Sequence, residues 1–130
     1  MAKALRAATL ALTLAMALSA VGSPTAAAAP TARVTMTNDL GFSPPRITIK
    51  VGQTVEWRNA SFLVHTVTAD PKLAADRKDV ALPAGAKTFN SGKLQPNATF
   101  RHTFAVAGTY RYFCIPHEAA GMVGEVVVKP

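Results

Sequence analysis

The segment "YRYFCIPHEAAGMVGEVVV", residues 110–128, brings together side chains that bind soft metal ions. Cys114, the only cysteine in the chain, is followed by His117 after two residues and by Met122 after four more. Thiolate, imidazole and thioether together select Cu(I), and two histidines, one cysteine and a weak axial methionine are typical of blue-copper electron-transfer sites. The segment therefore predicts a copper site that needs one further histidine.

That further histidine has two candidates, His65 and His102. His65 lies in "SFLVHTVT", after the polar turn "RNAS", where a strand end can lie opposite the strand of Cys114. His102 alternates with Phe100 and Phe104, a pattern compatible with an inward-facing side chain and equally with a solvated one. We favour His65 as the second imidazole ligand.

Each of these residues also has an ordinary structural role. A lone cysteine commonly behaves as a small buried hydrophobe, and a lone methionine commonly fills gaps in a core. Cys114, His117 and Met122 fall within nine residues, and this density favours a metal site over three separate structural roles. Zinc is a weaker alternative, because structural zinc sites usually contain more thiolates and no thioether.

Seven short segments alternate apolar and polar residues, which is typical of strands with one face in a core. These segments are 33–37, 47–51, 54–59, 64–68, 98–104, 109–114 and 124–129. Turn signals containing Gly, Pro or Asn separate them, so the spacing predicts an all-β sandwich. Segment 71–81 lacks the alternation and contains helix formers, and we expect a loop there with one helical turn.

The first 29 residues have the three parts of a secretory signal peptide. Lys3 and Arg6 precede an uncharged stretch over 9–22, and the small residues 27–29 fit a cleavage site. The alternative is an uncleaved membrane anchor, but the stretch is short beside the roughly 20 apolar residues of a spanning helix. We therefore predict a signal peptide over 1–29, one domain over 30–130, no permanent membrane anchor and a secreted or periplasmic location.

The charge balance favours acidic partners over basic ones. The chain has a formal net charge of +7, and the twelve basic and seven acidic residues of 30–130 leave +5. A charge of this size can steer an acidic protein toward the molecule. The interleaved "YRYF" at 110–113 can suit nucleic acid, but an alternating strand explains it better, and we expect no nucleic-acid partner.

Residues 112–128 resemble the C-terminal copper loop of plastocyanins and pseudoazurins, within the cupredoxin family. The C-x2-H-x4-M spacing carries this resemblance, and "DLGFSPPRITIKVGQTVEWRN" at 39–59 and "HTVT" at 65–68 are similar to the family's first strands and first histidine segment. The resemblance implies a cupredoxin-type Greek-key β-sandwich of about eight strands. It also implies one type 1 copper ion, cycling between Cu(I) and Cu(II), with the ligands His65, Cys114, His117 and Met122.

The resemblance further implies an electron carrier rather than an enzyme. We expect a monomer that meets redox partners transiently, acidic ones such as a cytochrome or an oxidase. The family implies that His117 is the electron port, and the candidate residues of an apolar surface around it are Leu40, Leu63, Pro116, Ala119 and Ala120. The sequence also departs from the family, because "VHT" replaces the Pro-His-Asn of many plastocyanins, although Thr66 can still direct a backbone N–H toward the sulfur.

Two other functions compete with electron transfer. A copper carrier or storage protein binds Cu(I) and hands it on, but such proteins are often rich in Met and His. Here Met36 is the only methionine of 30–130 besides Met122, which counts against that function. A plain β-sandwich binding module leaves the dense Cys–His–Met segment unexplained.

Overall fold

The computed structural model describes residues 22–24 and 28–130, so most of the predicted signal peptide lies outside the described residues. Nine strands occur in the described part of the chain. They are β1 (Ala32–Met36), β2 (Phe42–Ser43), β3 (Arg46–Lys50), β4 (Thr54–Asn59), β5 (Thr68–Ala69), β6 (Phe89–Asn90), β7 (Thr99–Thr103), β8 (Gly108–Phe113) and β9 (Val123–Lys129). Two 3₁₀ turns, Arg77–Asp79 and Ile115–Ala120, complete the set of elements. Across 22–24 and 28–130, no helix has both the length and the apolar character needed to cross a membrane.

The strands form two mixed sheets. The first sheet has the order β2-β1-β4-β7, and the second has the order β3-β9-β8-β5-β6. β1 runs parallel to β4 and β3 runs parallel to β9, whereas the other pairs are antiparallel. The predicted all-β sandwich is therefore confirmed, with nine strands rather than about eight.

The core between the sheets is aromatic. Val55 and Trp57 of β4 are fully buried. Glu56 and Arg58, which alternate with them along the strand, are not buried, as a strand with one face in the core requires. Trp57 meets Tyr112 of β8 edge-on, with ring centroids 5.4 Å apart, and this contact joins the two sheets. The rigid sandwich that results holds the ends of β4 and β8, from which the candidate site residues extend.

Six of the seven predicted strands are confirmed within one residue at each end, but the strand predicted over 64–68 is wrong. Only Thr68–Ala69 is a strand there, and His65 makes a single bridge with Leu94. The N–H of Thr66 points to the Cys114 sulfur and that of Val67 to the Ser91 hydroxyl, so side chains replace a neighbouring strand as acceptors. The helical turn expected within 71–81 is present as the 3₁₀ turn Arg77–Asp79.

Candidate metal centre

The loop over 114–122 connects β8 to β9 and is closed by its own backbone. The Cys114 N–H donates to the Met122 carbonyl over 3.0 Å, and the Met122 N–H donates to the His117 carbonyl over 3.3 Å. Gly121 ends the 3₁₀ turn with φ of 79°, a left-handed conformation that glycine adopts without strain. These bonds hold Cys114, His117 and Met122 at one end of the sandwich.

Three donor atoms from two separate segments of the chain converge at this end. The Cys114 Sγ lies 3.6 Å from the His65 Nδ1 and 3.4 Å from the His117 Nδ1, and the two Nδ1 atoms are 3.2 Å apart. His65, Cys114 and Met122 have no exposed surface, and His117 is half-buried. The structure thus brings His65 to the 114–122 loop from the connection between β4 and β5.

The chemistry of this donor set fits copper. Two imidazole nitrogens and one sulfur lie within 4.8 Å of one another, and no carboxylate belongs to the group. Mg²⁺ and Ca²⁺ require oxygen ligands, which this cluster does not offer. Zinc accepts cysteine and histidine, but a buried methionine in the same loop favours copper over zinc.

Burial favours the neutral forms of Cys114 and His65. Burial raises the pKa of the Cys114 thiol, although backbone N–H groups that point at the sulfur partly oppose this effect. Burial and the neighbouring His117 both lower the pKa of His65, so its imidazole stays neutral with a lone pair available. A bound soft cation would stabilise the thiolate form of Cys114, so metal binding would be coupled to loss of the thiol proton.

Thr66 ties the two segments of the site together. Its backbone N–H points at the Cys114 Sγ over 3.3 Å, an arrangement that the sequence allowed, and its hydroxyl accepts a hydrogen bond from the Ile115 N–H over 2.8 Å. The threonine therefore contacts the first two residues of the loop, Cys114 and Ile115.

Asn59 and Ser61 orient the His65 ring from its Nε2 side, which is the side away from the Cys114 sulfur. The Ser61 Oγ lies 2.8 Å from the His65 Nε2 and donates to the Asn59 Oδ1 over 2.7 Å. The Asn59 amide nitrogen donates to the carbonyls of Leu63 and Leu94 over 2.7 and 3.0 Å. With Nε2 engaged in this way, the Nδ1 of His65 faces the sulfur.

The other candidate histidine lies outside the cluster. His102 is in β7, half-buried between Phe89 and Phe104, with its ring centroid 4.2 Å from that of Phe89. Burial lowers the pKa of His102. In the described structure His102 packs against aromatic rings and is not part of the metal centre.

Four of the five residues predicted for an apolar surface around His117 are exposed. Leu63, Pro116, Ala119 and Ala120 are exposed, but Leu40 is half-buried and packs against the core. Phe62, which is not among the predicted residues, is 88% exposed in the loop after β4. The Asn38 side chain accepts a hydrogen bond from the Phe62 N–H over 2.9 Å and fixes that loop.

Comparisons with known proteins agree with this geometry. A family model described as copper binding proteins of the plastocyanin/azurin family matches residues 30–129. Plastocyanin from Nostoc punctiforme is 37% identical over 91 residues, covering 69% of this chain and 66% of the relative. Chloroplastic plastocyanin from Tetradesmus obliquus is 36% identical over 90 residues, covering 69% of this chain and 59% of the relative. The match thus spans about three fifths of these relatives' lengths.

Solved structures resemble the chain in the same way. The Cu(I) form of an amicyanin variant superposes with a TM-score of 0.61 at 28% identity, covering 80% of this chain and 87% of that one. A purple cupredoxin from Nitrosopumilus maritimus gives a TM-score of 0.57 at 26% identity, covering 75% of this chain and 99% of that one. These likenesses confirm the expected cupredoxin-type sandwich.

The copper prediction is confirmed at the level of the family. One type 1 copper ion is the family's cofactor, and His65, Cys114, His117 and Met122 form a typical ligand set for it. The fold, the convergent donor atoms and the match over 30–129 all agree. The chain belongs to the plastocyanin/azurin family of copper-binding proteins.

Proposed function

We propose that this protein carries single electrons through one type 1 copper ion held by His65, Cys114, His117 and Met122. The observation that carries the proposal is the meeting of the Cys114 Sγ and two histidine Nδ1 atoms within 3.2 to 3.6 Å. Met122 would be the fourth ligand, because it is fully buried and its carbonyl accepts a hydrogen bond from the Cys114 N–H. Bound copper supplies a one-electron Cu(I)/Cu(II) couple.

The chain contributes rigidity to this function. The 114–122 loop is closed by its own hydrogen bonds, and Thr66 ties it to the segment of His65. Asn59 and Ser61 fix the ring of His65 from the side away from the sulfur. A site held in this way moves little when an electron enters or leaves, so transfer needs little rearrangement. No substrate is turned over, and the protein is not an enzyme.

Electrons enter and leave at the half-buried ring of His117. Pro116, Ala119 and Ala120 in its loop and Leu63 nearby in the site's other segment are exposed and apolar. A small apolar contact with weak charge steering suits transient redox encounters, which bury less than about 1,200 Å². The partner is an acidic redox protein such as a cytochrome or an oxidase, because residues 30–130 carry a net charge of +5, with twelve basic and seven acidic residues.

The location follows from the predicted signal peptide over 1–29. With that peptide removed, residues 30–130 act as a monomeric domain in the periplasm or outside the cell. Copper–thiolate chemistry is compatible with such a compartment, because a bound thiolate is no longer free for oxidation. N-terminal sequencing of the exported protein tests the cleavage position, and a start other than residue 30 contradicts the predicted boundary.

The experiment that tests the proposal is copper reconstitution. Adding Cu(II) to the purified protein should give an intense blue absorption band and an EPR spectrum with narrow copper hyperfine splitting. Cys114→Ser and His65→Gln should each abolish the band, whereas the matched change His102→Gln should keep it. Copper binding as Cu(I) without the band contradicts electron transfer and supports delivery of copper, and no binding contradicts both.

A further inference from the structure

We propose that Glu118 is a positioning residue that latches the 114–122 loop to the 70–81 segment and thereby fixes His117. The Glu118 Oε2 accepts a hydrogen bond from the Ala75 N–H over 3.0 Å, and its Oε1 accepts one from the Asp76 N–H over 2.9 Å. These two hydrogen bonds are called the latch below. The inference deepens the proposed function and rests on it for the role of His117 as a ligand.

The latch is buried and uses both oxygens of the carboxylate. Glu118 is only 8% exposed, although it carries a carboxyl group. The next two residues of the same loop, Ala119 and Ala120, are exposed. A carboxylate seldom occupies such a position unless hydrogen bonds compensate for lost solvent. Two backbone N–H donors do so here, and hydrogen bonds to an ionised acceptor are roughly twice as strong as neutral ones.

The 70–81 segment offers a fixed point for the latch. Asp76 caps the turn Arg77–Asp79 by accepting from the Lys78 N–H, so the segment has its own local structure. Past the turn, Ala81 exchanges two backbone hydrogen bonds with Arg111 of β8, at 3.1 and 2.9 Å. The segment is thus anchored on the strand that leads to Cys114, and Glu118 connects the far side of the loop to it.

The main chain of Glu118 connects the latch to the site. Its carbonyl accepts a hydrogen bond from the Gly121 N–H over 2.8 Å, which shapes the turn before Met122. His117 immediately precedes Glu118, and the backbone of His117 has a non-helical φ of −123° inside the 3₁₀ turn. A shift of residue 118 therefore moves the imidazole of His117 and the turn that leads to Met122 together.

Two substitutions separate the geometry of the latch from its charge. Glu118→Gln removes the charge and presents an NH₂ group to one of the two N–H donors. Glu118→Asp keeps the charge but withdraws the carboxylate by one methylene, so it cannot reach both donors. Glu125→Gln is the matched control, because Glu125 is a carboxylate of β9 that pairs with Arg46 and has no side-chain bond to the 114–122 loop.

The test is amide hydrogen exchange by NMR on the full protein, first without metal and then with Cu(I). Without metal, both Glu118 variants should speed exchange at Ala75 and Asp76 roughly tenfold, and Glu125→Gln should leave it unchanged. In the wild type, Cu(I) should slow exchange at these two amides further, because it fixes the loop that Glu118 joins to them. In the Glu118 variants that added protection should be lost, and the EPR hyperfine splitting of the Cu(II) forms should change.

The outcomes keep this inference separate from the proposed function. If Cu(I) does not bind the wild type, the proposed function fails, and the metal-free exchange rates still decide whether the latch exists. If copper binds and both Glu118 variants keep wild-type exchange, Cu(I) protection and EPR spectra, the inference is overturned. Should Glu118→Gln fail to fold, Glu118→Asp, which keeps the charge, gives the same comparison.

Discussion

Removal of the Ser61 hydroxyl should both destabilise the protein and loosen its metal site. In the structure the hydroxyl oxygen lies 2.8 Å from the His65 Nε2, donates to the Asn59 Oδ1 over 2.7 Å and accepts from the Leu63 N–H over 3.1 Å. Ser61→Ala removes all three contacts and leaves the Nε2 of a fully buried imidazole without a partner. The ring of His65 is then free to turn.

The magnitude follows from these contacts. A buried polar group left without a partner costs about 1–3 kcal/mol, and each ordinary hydrogen bond contributes about 1 kcal/mol net. We expect the free energy of unfolding of the metal-free protein to fall by about 2 kcal/mol, which lowers Tm by roughly 8–16 °C in a domain of this size. Loss of a partner behind a ligating histidine typically weakens metal affinity 10–100-fold, and we expect a decrease in this range.

The assay is urea unfolding of the metal-free protein combined with copper titration. Ser61→Thr retains a hydroxyl and should keep most of the stability and the affinity. Thr103→Val serves as the matched control, because it removes a hydroxyl pair with Thr54, 2.7 Å long, on the exposed face of the first sheet. If Ser61→Ala loses no more stability and no more copper affinity than Thr103→Val, the reasoning about the His65 partner is wrong.

Three further predictions test the core, the pH response and the surface. Gly124→Ala places a Cβ against the Tyr112 ring and hydroxyl and should cost about 1–3 kcal/mol in urea unfolding; an unchanged midpoint would show that the ring yields. Burial lowers the pKa of His102, so the unfolded chain takes up this proton more readily and stability falls as the pH drops below about 6.5. In the metal-free protein, the free energy of unfolding should fall less between pH 7.5 and pH 5 for His102→Phe than for the wild type. An equal fall in both proteins would refute the role of His102. Phe62→Glu or Ala120→Glu should slow electron transfer to an acidic cytochrome in stopped-flow mixing and leave the visible spectrum unchanged, and a lost band would place these residues inside the site instead.

The part of the site that is local in sequence was predictable. Cys114, His117 and Met122 are close neighbours, so the spacing alone indicates a loop that gathers their side chains. Most strands were predictable too, because long alternating segments such as β4 bury every second side chain. The strands β2 and β6 contain two residues each, which is too short for any alternation to be visible.

The supporting residues were not predictable, because their partners lie far along the chain. Glu118 bonds to backbone groups 43 and 42 residues away, and nothing in "PHEAAGM" distinguishes it from a solvated glutamate. The segment 64–68 misled for a related reason, since Thr66 and Val67 donate to a sulfur and a hydroxyl rather than to a strand. "RNAS" did indicate a polar turn, but it does not reveal that Asn59 and Ser61 face inward.

The central place of β9 in the second sheet determines when the site can form. β9 lies between β3 and β8. In its parallel pairing with β3, Glu125 of β9 lies opposite Arg46, which is 79 residues earlier in the chain. Pairings of such high sequence separation form slowly, because the loop between them must close first. The scaffold is therefore incomplete until β9 has been synthesised, so we expect copper to be inserted after residues 123–129 have been made.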